Sequence, residues 1–227
     1  KHTQIVYNVY MGFFDHFAIV FVALFVITNP FGNIGVFVSL TEGDSEAFRK
    51  QQALKAAIYS FILLFVFFVA GKYILNFFGI TIYGIQIAGG LIIAKIGFSL
   101  LAGKKNHVAS KKEEQEAIEK KDVSFCPLAM PIVAGPGGLA VVLTAANKMD
   151  LSLAEYVSIT MAIFAVCVIV WICFRESTWV VKILGETGMT AITKIMGFII
   201  IAIAIQMIIT GTGAVLADWG IANLTSG

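Results

Sequence analysis

Two short segments place prolines and glycines inside long apolar stretches, where such residues are costly. The first is "NPFGNIG" at residues 29–35, and the second is "CPLAMPIVAGPGG" at residues 126–138. Proline lacks an N–H group and clashes with the carbonyl four residues back, while glycine has no side chain that favours helix. Both segments are therefore predicted to be unwound or sharply kinked, which leaves peptide groups free.

Free peptide groups of this kind can bind a small zwitterion. The N-terminus of a half-helix presents N–H groups that hold a carboxylate, and free carbonyls at a C-terminus hold an ammonium group or a cation. Glycine leaves room for a small ligand, and Asn side chains add donors and acceptors. The predicted binding residues are Thr28, Asn29, Pro30, Phe31, Gly32 and Asn33 in the first segment, and Pro131, Ala134, Gly135, Pro136, Gly137 and Gly138 in the second.

A structural kink that lets helices pack closely is the alternative explanation of each break. Every proline of the chain lies in these two segments, and paired breaks in corresponding helices of two halves are typical of a transport site. Thr144 and Asn147 are further polar candidates downstream. Lys95 is charged and lies well inside a predicted span; we expect it to extend its ammonium group to the membrane surface, although a functional role stays open.

The composition indicates that these segments lie in a membrane. The hydrophobic fraction is 59%, the charged fraction is 13% and the mean hydropathy is +0.89, whereas soluble domains are about half apolar and a quarter charged. The apolar runs lack the alternation of a β-barrel, which favours helices. The net charge of +2 gives no reason to expect a nucleic-acid partner. The sequence therefore predicts an all-α integral membrane protein.

Charged and turn residues divide the chain into six predicted transmembrane helices, of which the first and fourth are discontinuous at the breaks. The Asp44-Ser45 pair is expected to cap the second helix. Cys126, Cys167 and Cys173 are expected to be buried, unpaired thiols. The predicted spans cover about 15–41, 45–78, 83–103, 123–147, 151–184 and 190–214.

An internal repeat relates residues 1–103 to residues 122–227, on either side of a Lys-rich segment at 104–121 that is predicted to be a cytoplasmic loop. "NPFG" aligns with "GPGG" and Gly79 with Gly185 at an offset of 106 residues, and "IAGGLIIAKIGFSLLAG" aligns with "IMGFIIIAIAIQMIITG" at an offset of 108. Because each half has three spans, the second copy must enter the membrane upside down. The prediction is two inverted three-helix repeats; a general likeness of Gly-rich apolar segments is the alternative.

The distribution of Lys and Arg predicts the orientation of the chain. These residues concentrate beside the first, third and fifth loops, whereas the opposite side has only Lys1, Lys72 and Lys148. Cytoplasmic loops carry the excess of positive charge. Both termini are therefore predicted to lie outside the cytoplasm.

Three stretches, "NPFGNIGVFVSLTEG", "FFGIT…IAGGLII" and "DVSFCPLAMPIVAGPGG", resemble the MarC family, which includes the SnatA-type small neutral amino acid transporters. The resemblance covers nearly the whole chain and is weakest in the Lys-rich loop. It implies a six-span carrier of glycine, alanine and similar amino acids in the prokaryotic inner membrane, driven by a cation gradient, with both motifs binding substrate. Gly35 stands where the family often has a second proline, which leaves the substrate preference open.

The expected function is secondary transport of small neutral amino acids by alternating access, with H⁺ or Na⁺ as the coupling ion and with no cofactor or structural metal. The expected partners are the zwitterionic amino acid and the lipid bilayer, and a homo-oligomer stays open. A channel and an exporter of other small or hydrophobic molecules are the alternatives. An enzyme is not expected, because the sequence has no HExxH, GxSxG or Walker motif.

Overall fold

A computed structural model describes residues 2–102, 122–146 and 152–219, and these residues form helices without a strand. Several predicted features lie outside the described residues: the loop at 104–121, Gly103, Asn147 and the start of the fifth span. Helix α5 is an irregular, π-type helix that contains two prolines. The helices are α1 His2–Thr28, α2 Pro30–Leu40, α3 Glu46–Phe78, α4 Ile82–Leu101, α5 Ser124–Val133, α6 Pro136–Ala146, α7 Leu153–Arg175 and α8 Ser177–Asp218.

The helices are long and apolar enough for five membrane spans, or six if the bent pair α5–α6 crosses as one. Large apolar side chains face outward along these spans; Phe77 is 83% exposed and Phe198 is 67% exposed. Such surfaces are stable against lipid rather than water. The prediction of an all-helical integral membrane protein is confirmed.

The ends of the second and third predicted spans are correct to within a few residues. Ser45 caps α3, because its Oγ accepts a hydrogen bond from the Phe48 N–H at 3.3 Å. Gly79 ends the same helix in the left-handed conformation, at φ 63°, which glycine adopts without a steric penalty.

The fifth predicted span, by contrast, ends too late. Helix α7 stops at Arg175, and α8 begins at Ser177. Arg49 of α3 holds this junction: its Nη2 donates to the Ser177 and Thr178 hydroxyls at 3.2 and 3.1 Å. Helix α8 is itself interrupted at Gly185, which has φ 62° and ψ 176°.

Cys126 also differs from its prediction. Cys167 and Cys173 are buried and free, as expected, but Cys126 is exposed. Its backbone is extended, at φ −125° and ψ 122°, so it does not follow the face that an uninterrupted helix would bury.

The most extensive helix contacts join the first half of the chain, α1–α4, to the second half, α5–α8. Helix α4 packs along α8, α1 packs on α7, and α3 packs on α5, α6 and α7. Glycines allow the close approach of α4 and α8: a Cβ atom on Gly97 would lie 2.6 Å from Ile201 Cγ1 and 2.9 Å from the Gly197 carbonyl oxygen. Small residues serve this purpose in membrane helix pairs generally.

Candidate ligand site between two helix breaks

The first helix break is confined to a single residue, Asn29. It has φ 41° and ψ 63°, in the left-handed region, and it separates α1 from α2. Backbone hydrogen bonds continue on both sides, from the Asn29 N–H to the Phe25 carbonyl and from the Asn33 N–H to the Asn29 carbonyl, both at 3.1 Å. Of the two forms predicted for residues 29–35, unwound or sharply kinked, the unwound form is wrong: the interruption is confined to Asn29, because Pro30 starts a new helix, a position that suits proline.

The Asn29 side chain caps α2 and keeps one donor available. Its Oδ1 accepts from the Gly32 N–H at 3.3 Å, which fixes the orientation of the amide group. Its Nδ2 is buried and has no hydrogen-bond partner among the described residues. Gly32 is required beside it, because a Cβ atom there would overlap the Asn29 amide.

The second break bends the chain by 62° between α5 and α6. Within α5, Cys126 and Met130 have extended backbone angles. Gly135 precedes Pro136, the first residue of α6, and its carbonyl accepts from the Leu139 N–H at 3.0 Å. Only glycine fits at position 135, since a Cβ atom would overlap the Pro131 carbonyl oxygen.

Helix α6 therefore begins without a side-chain cap. Gly135 takes the place that Asn29 takes before α2, but it has no side chain that could accept a hydrogen bond. The N–H groups of Gly137 and Gly138 lie in the first turn of α6, where intrahelical acceptors are missing. In the segment 126–138, predicted to be unwound or sharply kinked, the irregular part ends before Pro136, and Gly137 and Gly138 are helical residues whose N–H groups lie at a helix N-terminus.

Both breaks line the same cavity, although they are separated by about a hundred residues of sequence. The cavity has a volume of about 20 Å³, which is enough for roughly one water-sized molecule. Its lining comes from α1, α2, α4, α5 and α6. The lining residues are Ile27, Asn29, Asn33, Ile96, Pro131, Ile132, Val133, Gly135, Pro136, Gly137 and Gly138.

Seven of the residues predicted from the sequence are in this lining: Asn29, Asn33, Pro131, Gly135, Pro136, Gly137 and Gly138. The other five lie beside the cavity and not in its lining: Thr28, Pro30, Phe31, Gly32 and Ala134.

Three of these five residues make contacts or are buried next to the lining. The Thr28 carbonyl accepts from Asn33 Nδ2 at 2.7 Å, which orients the Asn33 side chain. Phe31 packs edge-on against Phe25, and Ala134 is fully buried.

Four apolar lining residues were missed by sequence reasoning, namely Ile27, Ile96, Ile132 and Val133. Three of them adjoin the breaks in sequence, but Ile96 comes from α4 and carries no local signal. Its neighbour Lys95 is exposed, outside the cavity lining. Thr144 is also outside the lining, and its hydroxyl donates to the Ala140 carbonyl of its own helix at 2.8 Å.

The polar groups of the cavity suit a ligand with separate positive and negative ends and no net charge. Asn29 Nδ2 and the first-turn N–H groups of α6 are donors. Asn33 Oδ1 is an acceptor, because the Nδ2 of the same amide is already engaged. No charged side chain lines the described cavity, and no group of three or more His, Cys, Asp or Glu in the described residues could hold a metal ion.

Comparison with known proteins identifies the family of this chain. Residues 14–216 match the family profile described as MarC family integral membrane protein. This chain belongs to the MarC family. Both helix breaks and the whole cavity lining fall within the matched region.

Several bacterial MarC relatives align over most of their length. The UPF0056 membrane protein YvbG of Bacillus subtilis is 40% identical, over 85% of this chain and 92% of the relative. A UPF0056 membrane protein of Buchnera aphidicola is 37% identical, over 87% and 92%. The UPF0056 inner membrane protein MarC of Escherichia coli K12 is 34% identical, over 84% and 90%. No solved structure matches the chain.

Proposed function

We propose that this MarC-family protein is a secondary transporter of small neutral amino acids, glycine and alanine, in a prokaryotic inner membrane. One observation carries the proposal: two helix breaks from distant parts of the chain line one cavity, and its polar groups are peptide groups and two Asn side chains. Paired broken helices with this geometry suit a zwitterion.

Each end of the amino acid has its own partners in the cavity. The carboxylate accepts hydrogen bonds from Asn29 Nδ2 and from the N–H groups of Gly137 and Gly138, where the dipole of α6 favours negative charge. The ammonium group donates to Asn33 Oδ1 and to the carbonyl of Ile132. That carbonyl is available because Pro136, four residues later, has no N–H group to donate to it.

Apolar walls restrict the substrate side chain. Ile27, Ile96 and Val133 line the cavity, so a substrate side chain there meets apolar groups, which suits a hydrogen atom or a methyl group. The absence of a charged lining residue in the described cavity disfavours substrates with a net charge, since their burial would be uncompensated. A tight cavity lined by glycine and isoleucine also favours this substrate class over large hydrophobic molecules.

The site must open before an amino acid can bind, because a cavity of about 20 Å³ is smaller than any amino acid. We infer alternating access in a pair of inverted three-helix repeats, with both termini outside the cytoplasm and H⁺ or Na⁺ as the coupling ion. Since the extensive helix contacts cross between the halves, movement of the half-helices beside the breaks fits this packing better than displacement of each half as one rigid block.

Counterflow in proteoliposomes tests the proposal. Vesicles loaded with unlabelled glycine should accumulate labelled glycine and alanine transiently and with saturation, and imposed sodium and proton gradients, applied separately, identify the coupling ion. Flux that rises linearly with concentration would indicate a channel instead. Absence of counterflow for every small neutral amino acid, in protein that is folded, would reject the proposal.

A further inference from the structure

Two acid–base side-chain pairs connect the broken-helix regions of α1 and α5 to the continuous helices α7 and α3 of the other half. Lys55 Nζ of α3 lies 2.8 Å from Asp122 Oδ2, which comes just before α5. His16 Nε2 of α1 lies 3.3 Å from Glu155 Oε1 of α7. In each pair, one residue belongs to the first half of the chain and the other belongs to the second half.

The two pairs lie far apart along the bundle. The ring of Tyr156, next to Glu155, is 5.4 Å from the ring of Phe68 in α3. Phe68 follows Lys55 by thirteen residues in the same helix, which at 1.5 Å per residue corresponds to roughly 20 Å. The cavity between the breaks therefore has one of these side-chain pairs towards each end of the bundle.

His16 and Asp122 occupy equivalent positions in the two halves. They are 106 residues apart, which is the offset that aligns Pro30 with Pro136. Their partners also come from equivalent helices, α7 for His16 and α3 for Asp122. The same kind of connection therefore occurs twice, once in each half, although the side chains differ.

Helix α5 is attached mainly to one helix of the other half. Its extensive contacts in the described chain are with α3, and its contacts with α2 are few. One of the contacts with α3 is the edge-on packing of Phe125 on Tyr59, with 5.6 Å between ring centres. The far end of α5 meets the 62° bend at Gly135, and its last residues line the cavity. Because Pro131, Ile132 and Val133 of α5 are part of the cavity lining, displacement of α5 would change the cavity wall on the side of the bundle that carries Lys55.

We propose that the Lys55–Asp122 and His16–Glu155 pairs are latches that close the ligand cavity from opposite ends of the bundle and open in alternation. The inference rests on the proposed alternating access. Release of the first latch frees α5 to move about Gly135, and release of the second frees α1 to move about Asn29. Both pairs are formed in this structure, in agreement with the small cavity.

The exposure of the Lys55–Asp122 pair sets the size of the effect. The two side chains are 35% and 48% exposed, and ion pairs of this kind are weak enough to open readily. Removal of one partner should therefore raise the population of the open form by about two- to fivefold.

Side-specific alkylation of a cysteine in the cavity tests the proposal. The reporter is Val133→Cys in full-length protein that also carries Cys126→Ser, labelled by a membrane-impermeant maleimide on one side of sealed vesicles. Asp122→Asn should raise the labelling rate about two- to fivefold from the side that carries Lys55 and leave the other side unchanged. His16→Ala should do the reverse, and it leaves intact the hydrogen bonds by which the Ser152 N–H and hydroxyl donate to Glu155 Oε2 at the start of α7.

A charge exchange separates a latch from general loosening of the protein. Lys55→Glu combined with Asp122→Lys should restore the labelling rate of the parent. Equal increases from both sides, or unchanged rates in Asp122→Asn and His16→Ala, would overturn the proposal. If Val133→Cys does not fold, Ile96→Cys reports on the same cavity from α4. Because labelling requires no substrate, side-specific labelling without amino acid counterflow would reject the substrate and keep the latches.

Discussion

Replacement of Asn29 by glycine separates its proposed binding role from its structural role. The left-handed conformation of Asn29 costs most L-residues about 1–2 kcal/mol, whereas glycine adopts it freely. Asn29→Gly loses the capping bond from the Gly32 N–H, but glycine at an N-cap costs only about a few tenths of a kcal/mol relative to Asn. Because the two effects oppose each other, the variant should unfold close to the temperature of the parent protein.

Transport should respond much more strongly than stability. The Nδ2 of Asn29 is a buried donor without a partner among the described residues, and we propose that it binds the substrate carboxylate. A hydrogen bond to a charged group is worth about 1.5–3 kcal/mol, and each 1.4 kcal/mol corresponds to a factor of ten. Asn29→Gly should therefore raise the KM for glycine by about 10- to 150-fold.

Glycine counterflow into proteoliposomes, at matched amounts of folded protein, measures this effect. Asn29→Asp keeps an acceptor for the Gly32 N–H but places a negative charge at the carboxylate site, so it should transport less well than Asn29→Gly. Gly35→Ala is the control in the same helix, because a Cβ atom there meets nothing within 4 Å. A parental KM in folded Asn29→Gly would refute the assignment of Nδ2 to the carboxylate.

Three further predictions follow from the packing and the charges. Ile96→Ala widens the apolar wall of the cavity, so counterflow of labelled valine relative to alanine should rise by about tenfold. Gly97→Ala should lower the free energy of unfolding by about 1–3 kcal/mol, since its Cβ atom would meet Ile201 and the helices are already in contact, whereas Gly35→Ala should cost nothing in the same denaturation assay. Burial opposes the ionisation of Asp122, but hydrogen bonds from Lys55 and Ser124 outweigh it and lower its pKa from 3.8 to about 2. This contribution is present above about pH 4 and is lost as the pH falls towards 2, so Asp122→Asn should remove part of the acid-induced loss of thermal stability, at most about 1 kcal/mol for a half-exposed pair.

The existence and location of the helix breaks could be predicted from the sequence, because proline acts through local sterics that need no tertiary information. The extent of each break could not. Pro30 and Pro136 are compatible with a first helical turn, and whether such a residue unwinds a helix or restarts one depends on its neighbours. At Asn29 the side chain caps the new helix, and at Gly135 the lack of a Cβ atom permits the bend.

The composition of the site was only partly accessible from sequence. Asn33 and the glycines of the second break could be identified because they are unusual in an apolar span. Ile96 is an ordinary residue of an apolar helix, and only the packing of α4 against the breaks brings it to the cavity. In the same way, Lys55, His16, Asp122 and Glu155 carry no sign of their pairing in the sequence, because each partner lies in the other half of the chain.

The packing of each half on the other has a consequence for biogenesis. When the ribosome has released only α1–α4, the surfaces that these helices will later bury against α5–α8 have no partner, since the extensive contacts in the described chain cross between the halves. The early spans must then remain loosely associated in lipid, or be sheltered by the insertion machinery, until synthesis of the later ones is complete. Assembly of this bundle therefore depends on insertion of the second half beside the first.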